Sequence, residues 1–140
     1  MNENPDPPCA SMTTKIKSSA QVLFCVGCCC GRTDRGLPEV PVDRIKAAWK
    51  SEKLNRVVQL TISGCLGPCD VPNVAAVLTP GGCEWFGLLD GDAHYEAIID
   101  WARASAERGE VVSLPASLDP LRLRRFNPPV PIELNEATGA

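Results

Sequence analysis

The residues best suited to chemistry in this 140-residue chain are its eight cysteines. Six of them form two groups: Cys25, Cys28, Cys29 and Cys30, then, after 34 intervening residues, Cys65 and Cys69. Thiolates hold both zinc and iron, and a centre assembled from two loops needs closely spaced pairs that can converge. Cys65-x3-Cys69 meets that requirement. Between its cysteines, Gly67 admits backbone conformations closed to other residues and Pro68 stiffens the bend. In the first group Cys25 pairs with Cys30 at x4, with Cys29 at x3 or with Cys28 at x2, and the spacing leaves that choice open. Two groups point to two halves of one site.

Other chemistries compete for the same residues. A zinc module without redox role uses the same ligands, and buried inert thiols pack as small apolar groups. Cys25-Val26-Gly27-Cys28 is also a C-x-x-C after a predicted strand, the spacing of a thiol-disulfide oxidoreductase. Against that, the adjacent Cys29 and Cys30 would scramble a simple dithiol exchange, and the second pair would have no role. Cys83 falls inside a predicted strand and is expected to pack, while Cys9 is expected to be a free exposed thiol. His94, the single histidine, reads as a surface residue rather than a ligand.

Composition narrows the classes. Eight cysteines are about 6% of the chain, below the roughly 8 to 10% of a disulfide scaffold. The segment MNENPDPPCASMTTKIK has neither the basic start nor the apolar stretch of a secretory signal, so a cytoplasmic protein with reduced thiols is expected. The longest apolar stretch, residues 22–30, contains Gly27 and is far short of a membrane span. A net charge of -3 disfavours a general nucleic-acid binder, which needs clustered positive charge. The window 84–110 carries seven acids and two bases, a solvated face or a docking surface for a basic partner. Arg122, Arg124 and Arg125 form a basic cluster that can fold back on this face or meet another subunit.

The elements that must position the cysteines follow from periodicity. Residues 1–19 are polar and proline-containing and read as a mobile leader. Residues 22–25 read as a short buried strand, and the glycine-containing stretch after Cys30 as a loop. Val42, Ile45, Ala48 and Trp49 share one face of a helix opening at Pro41. Residues 56–62 predict a second strand, 73–78 a third and 83–88 its hairpin partner across Thr79-Pro80-Gly81-Gly82. Asp90 and Asp92 are expected to cap a helix whose stripe is Tyr95, Ile98, Trp101, Ala102 and Ser105, ending near Gly109. Trp49 and Trp101 belong to core stripes, and no role is assigned to Trp85. The order predicts an α/β fold with a mixed sheet of about four strands covered by two main helices, spanning residues 20–109. Residues 110–140 hold five of the thirteen prolines and read as an extended C-terminal tail.

VLFCVGCCCG followed by SGCLGPCDVPNVAAVL resembles the thioredoxin-like [2Fe-2S] ferredoxins and their relatives, the small iron-sulfur subunit of respiratory complex I and NAD-linked hydrogenases. The resemblance covers roughly residues 20–109 and is most specific at Cys65, Gly67 and Cys69 with the apolar strand after them. It implies a thioredoxin-like sheet and a [2Fe-2S] cluster. By the resemblance the ligands are Cys25, Cys30, Cys65 and Cys69, with Cys29 or Cys28 as the alternative to Cys30. Each pair would hold one iron. The x4 spacing of Cys25 and Cys30 is that of the complex I subunits, whereas the free ferredoxins use a longer gap. The implied role is electron transfer between redox protein partners rather than enzymatic catalysis, from a homodimer or a subunit of a larger assembly. The C-x2-C-C-C-G-R stretch also resembles ferredoxins associated with cobalamin biosynthesis.

Overall fold

The computed structural model describes residues 12–129. The first eleven residues of the predicted leader, with Cys9, and the tail from residue 130 lie outside the described residues.

Two runs rich in β-branched and aromatic residues form β1 (Ala20–Cys25) and β2 (Val58–Ser63), which pair in parallel with Cys25 opposite Ser63. Parallel neighbours need a crossover, supplied by α1 (Val42–Ser51). Its buried residues Ile45, Ala48 and Trp49 recur at helical spacing, as the sequence predicts. β3 (Ala75–Thr79) and β4 (Gly82–Phe86) form an antiparallel hairpin, and β3 lies antiparallel to β1. At the turn, Thr79 Oγ1 accepts the Gly81 N–H at 3.1 Å. The sheet order is β2-β1-β3-β4, the mixed sheet of four strands expected from the sequence.

The second main helix, α2 (Asp92–Arg108), ends at Gly109, whose φ of 73° permits its N–H to return to Ser105 O. Its start departs from expectation. The residue before the helix is Gly91, with no side-chain cap, and His94 Nδ1 instead accepts the Asp90 N–H at 2.8 Å. That bond gives the single histidine a structural task.

Val22, Phe24, Val58, Ala75, Val77 and Phe86 face the two helices in one core with Ile45, Trp49, Ile98 and Ile99. Each fully buried aliphatic or aromatic side chain there contributes about 1.5–3 kcal/mol. Trp49 and Trp101 are core residues, and their indole N–H groups donate to Val58 O at 2.7 Å and Val112 O at 2.6 Å. Alternate residues place Gln21, Leu23, Gln59 and Thr61 on the opposite face of the sheet. Cys83 pairs with Leu78 on that face and is exposed, so the expectation that it packs gives way to the register of the hairpin.

The core extends past Gly109. Leu118, in a 3-10 turn over Ala116–Leu121, is fully buried, and Val112, Leu114 and Leu121 pack beside it. Residues 121–123 then run along β4, where Gly87 N–H donates to Leu121 O and Leu123 N–H to Trp85 O. This pairing covers the outer edge of the sheet. Arg122 bonds Glu84 and Asp119, so one member of the basic cluster does fold back on an acid of the 84–110 window. Among the described residues no helix is long and apolar enough to cross a membrane.

Candidate metal centre

Parallel pairing decides where the cysteines meet. Chains leaving the carboxyl ends of β1 and β2 emerge side by side, so the loops after Cys25 and Ser63 face one another although 34 residues separate the two cysteine groups. Carboxyl ends of parallel strands are the usual place for a bound group. Val26 N–H donates to Ser63 O at 2.9 Å, tying the first loop to the end of β2, and Cys25 N–H donates to Val74 O at 3.0 Å, tying it to the start of β3.

The first loop turns back on itself through Gly27 N–H to Cys30 O at 3.0 Å, with φ of 105° at Gly27 and 74° at Gly31. Both angles favour glycine. Asn73 then locks the loop. It is completely buried, its Oδ1 accepts Gly31 N–H at 2.6 Å, and its Nδ2 donates to Pro38 O at 2.9 Å and Leu89 O at 3.2 Å. One amide side chain thus joins the first cysteine loop, the approach to α1 and the approach to α2. Asn73 stands at the head of the strand expected over residues 73–78, and no local sequence pattern marks this role.

The six grouped thiols all line one pocket with Leu66, Gly67, Pro68 and Val74. Cys25 and Cys30 form its buried side, packed with Val74 against Leu66, Val71 and Trp85. Trp85 therefore shields one wall. Cys65 and Cys69 form the open side with their Sγ atoms 3.5 Å apart. Cys28 is exposed and Cys29 half-buried. The Sγ atoms of Cys28, Cys65 and Cys69 lie within 4.8 Å of one another, a grouping that the assignment of Cys30 over Cys28 did not anticipate.

Crowding controls the charge of these thiols. Burial pushes Cys30 up to about 12, the adjacent Cys25 thiol adding to the effect and the Val74 N–H opposing it. Cys69 is pushed up to about 11 by its hydrogen bond to Cys65 and the charge there. The neighbouring Cys29 raises Cys28. Cys65 is instead held below the ordinary thiol value, by the Cys69 thiol and then by Gly67 N–H, which donates to Cys65 Sγ at 3.3 Å. A set of thiols that suppress one another's ionisation becomes thiolate when a cation neutralises the pocket. The donor set therefore fits a thiolate-bound metal centre.

Two arginines stand beside the loops. Arg32 donates to Cys28 O at 3.0 Å and forms two bonds to the Asp34 carboxylate at 2.8 and 2.7 Å. Arg125 reaches the second loop from the far end of the chain, donating to Leu66 O at 3.3 Å.

No protein-family model matches the chain, and no curated protein matches it. Among solved structures, the chain is similar to the wild-type thioredoxin-like [2Fe-2S] ferredoxin from Aquifex aeolicus. That match is 20% identical, with a TM-score of 0.44, over 77% of this chain and 99% of the other. A second structure of a thioredoxin-like [2Fe-2S] ferredoxin from Aquifex aeolicus matches at 19% identity and a TM-score of 0.44, over 80% of this chain and 96% of the other.

Proposed function

We propose that the protein is a one-electron carrier holding a [2Fe-2S] cluster through Cys25 and Cys30 on one side and Cys65 and Cys69 on the other. The observation that carries this reading is the convergence of six thiols from two loops on one pocket, more sulfur than one tetrahedral ion takes. Within it Cys25 and Cys30 are adjacent on the buried side, and Cys65 and Cys69 are adjacent on the open side. When bound, such a cluster supplies reversible one-electron chemistry. The chain's own residues bind it, exclude water from the Cys30 side with Val74, Leu66 and Trp85, and leave the Cys65 side open to a partner. The Gly67 N–H to sulfur is the type of hydrogen bond that tunes a thiolate ligand.

In this reading no acid, base or nucleophile does chemistry, so the protein is a carrier rather than an enzyme. Its partners are redox proteins, and it works in the cytoplasm, where thiols stay reduced. A cobalamin-linked pathway has only the resemblance of the C-x2-C-C-C-G-R stretch in its favour.

One observation favours a second reading, a zinc site without redox role: Cys28, Cys65 and Cys69 already group closely enough to hold one ion. The dithiol reading is weaker. A reactive dithiol needs a thiol of lowered pKa, commonly at a helix N-terminus, whereas Cys28 is raised and Cys25 ends a strand. Serine variants separate the readings by iron and acid-labile sulfide bound per chain. The carrier reading predicts that Cys30→Ser, Cys65→Ser and Cys69→Ser each lose most of both while Cys28→Ser keeps them. Loss in Cys28→Ser with retention in Cys30→Ser would move the ligand set to Cys28, and bound zinc without sulfide would refute the carrier.

A further inference from the structure

We propose that Arg125 is the positioning residue of the Cys65–Cys69 loop and a positive charge that raises the reduction potential of the centre. The inference rests on the iron-sulfur reading above and extends it to a residue 56 positions beyond the last ligand.

Four contacts place Arg125. Its Nη2 donates to Leu66 O at 3.3 Å, between the two cysteines of the loop. Its guanidinium stands where a side chain on Gly67 would go, so a methyl group there would collide with Nη2. The same head lies 5.2 Å from the Trp85 ring centre and 4.4 Å from that of Phe126. Those two rings meet edge to face at 6.4 Å. A planar guanidinium between an aromatic pair and a carbonyl is well held, and a lysine ammonium would reproduce its charge without its stacking. The backbone pairing of Leu123 N–H to Trp85 O brings the segment to this place.

The charge at this point is unneutralised among the described residues. Arg32, beside the first loop, is paired with Asp34, and Arg122 with Glu84 and Asp119. Among the described residues no acid pairs with Arg125, and its Nε is buried with no hydrogen-bond partner among them. Accepting an electron makes a thiolate-bound cluster more negative. A nearby cation between aromatic rings stabilises that reduced form more than the oxidised one, so its removal lowers the potential. The pairing of Arg32 leaves the field lopsided toward Cys65 and Cys69.

The test compares Arg125→Gln, Arg125→Lys and Arg124→Gln in the full-length protein as isolated under anaerobic conditions. Arg124 is exposed, so its variant changes net charge equally without touching the loop. Two quantities are read: the midpoint potential by redox titration, and hydrogen exchange of residues 64–69. Arg125→Gln is expected to lower the reduced-to-oxidised ratio at fixed ambient potential at least threefold. That is about 28 mV at 59 mV per tenfold for one electron. Arg124→Gln should move it less. Arg125→Lys should hold the potential close to wild type yet speed loop exchange at least threefold. A potential in Arg125→Gln no lower than in Arg124→Gln would overturn the charge role, and unchanged exchange in both Arg125 variants would overturn the positioning role. A wild-type protein without iron and sulfide would defeat the cluster reading and the charge role with it. The exchange measured in that same sample would still decide positioning.

Discussion

Replacing Asn73 with alanine should destabilise the protein far more than its single side chain suggests. The substitution deletes the bonds to Gly31 N–H, Pro38 O and Leu89 O at 2.6, 2.9 and 3.2 Å, and the side chain is completely buried. A neutral bond contributes a net of about 1 kcal/mol, and a donor or acceptor left buried without a partner costs about 1–3 kcal/mol. Taken together, a loss of about 3–4 kcal/mol is expected. For a domain of roughly 120 residues, 1 kcal/mol corresponds to about 4 °C in Tm, so the shift should be about 12–16 °C. Asn73→Asp keeps the shape and the acceptor for Gly31 but turns an oxygen toward two carbonyls. Burial raises such a carboxyl's folded pKa above its unfolded value near 4, so its penalty should grow as pH rises above about 4. Thermal unfolding followed by circular dichroism, with metal content matched between samples, measures both. A Tm for Asn73→Ala within about 3 °C of wild type would refute the argument that this amide locks the first cysteine loop.

Leu118→Ala should cost about 2–4 kcal/mol by chemical denaturation, because a fully buried leucine is truncated in the segment that closes the core. A loss of a few tenths would mean that the segment is not part of the folded body. Arg44 binds Glu96 at 2.6 and 2.8 Å, and Arg103 binds Glu52 at 2.6 and 2.7 Å, each pair joining the α1 region to α2. These hydrogen bonds hold both glutamates below their ordinary values, and Arg32 holds Asp34 down to about 2. Depressed carboxylates stabilise above the unfolded pKa and lose that effect as pH falls through the folded one. Tm should therefore drop below about pH 4.5, with a shallower drop in a Glu52→Gln/Glu96→Gln double variant. An equal drop in both would show that these surface pairs contribute nothing. Alkylation of the metal-free protein, followed by peptide mass, should label exposed Cys83 well before buried Cys25 and Cys30. Equal labelling would contradict the hairpin register.

Local chemistry made much of this legible. The two cysteine groups, the helix stripes at Ile45 and Ile98 and the hairpin turn at Thr79 are all short-range patterns, and each element formed where its pattern lay. What escaped depends on register or on long reach. Cys83 sits in a strand as expected, but its partner Leu78 decides which face it occupies. The geometry of the first loop is set at Gly27 and Gly31 and by Asn73, so the spacing of Cys28, Cys29 and Cys30 could not show which sulfurs turn inward. Arg125 meets Leu66 across 59 residues, and no local pattern marks such a contact. The segment after Gly109 reads as a polar, proline-containing tail because Val112, Leu114 and Leu118 are too sparse to form a periodic stripe.

Whether the thiol pocket holds a [2Fe-2S] cluster is decided by metal and sulfide analysis of protein purified without oxygen. A cluster bound as proposed gives a coloured protein with equal iron and acid-labile sulfide, two of each per chain. A colourless protein carrying zinc, or no metal, with no sulfide would contradict it.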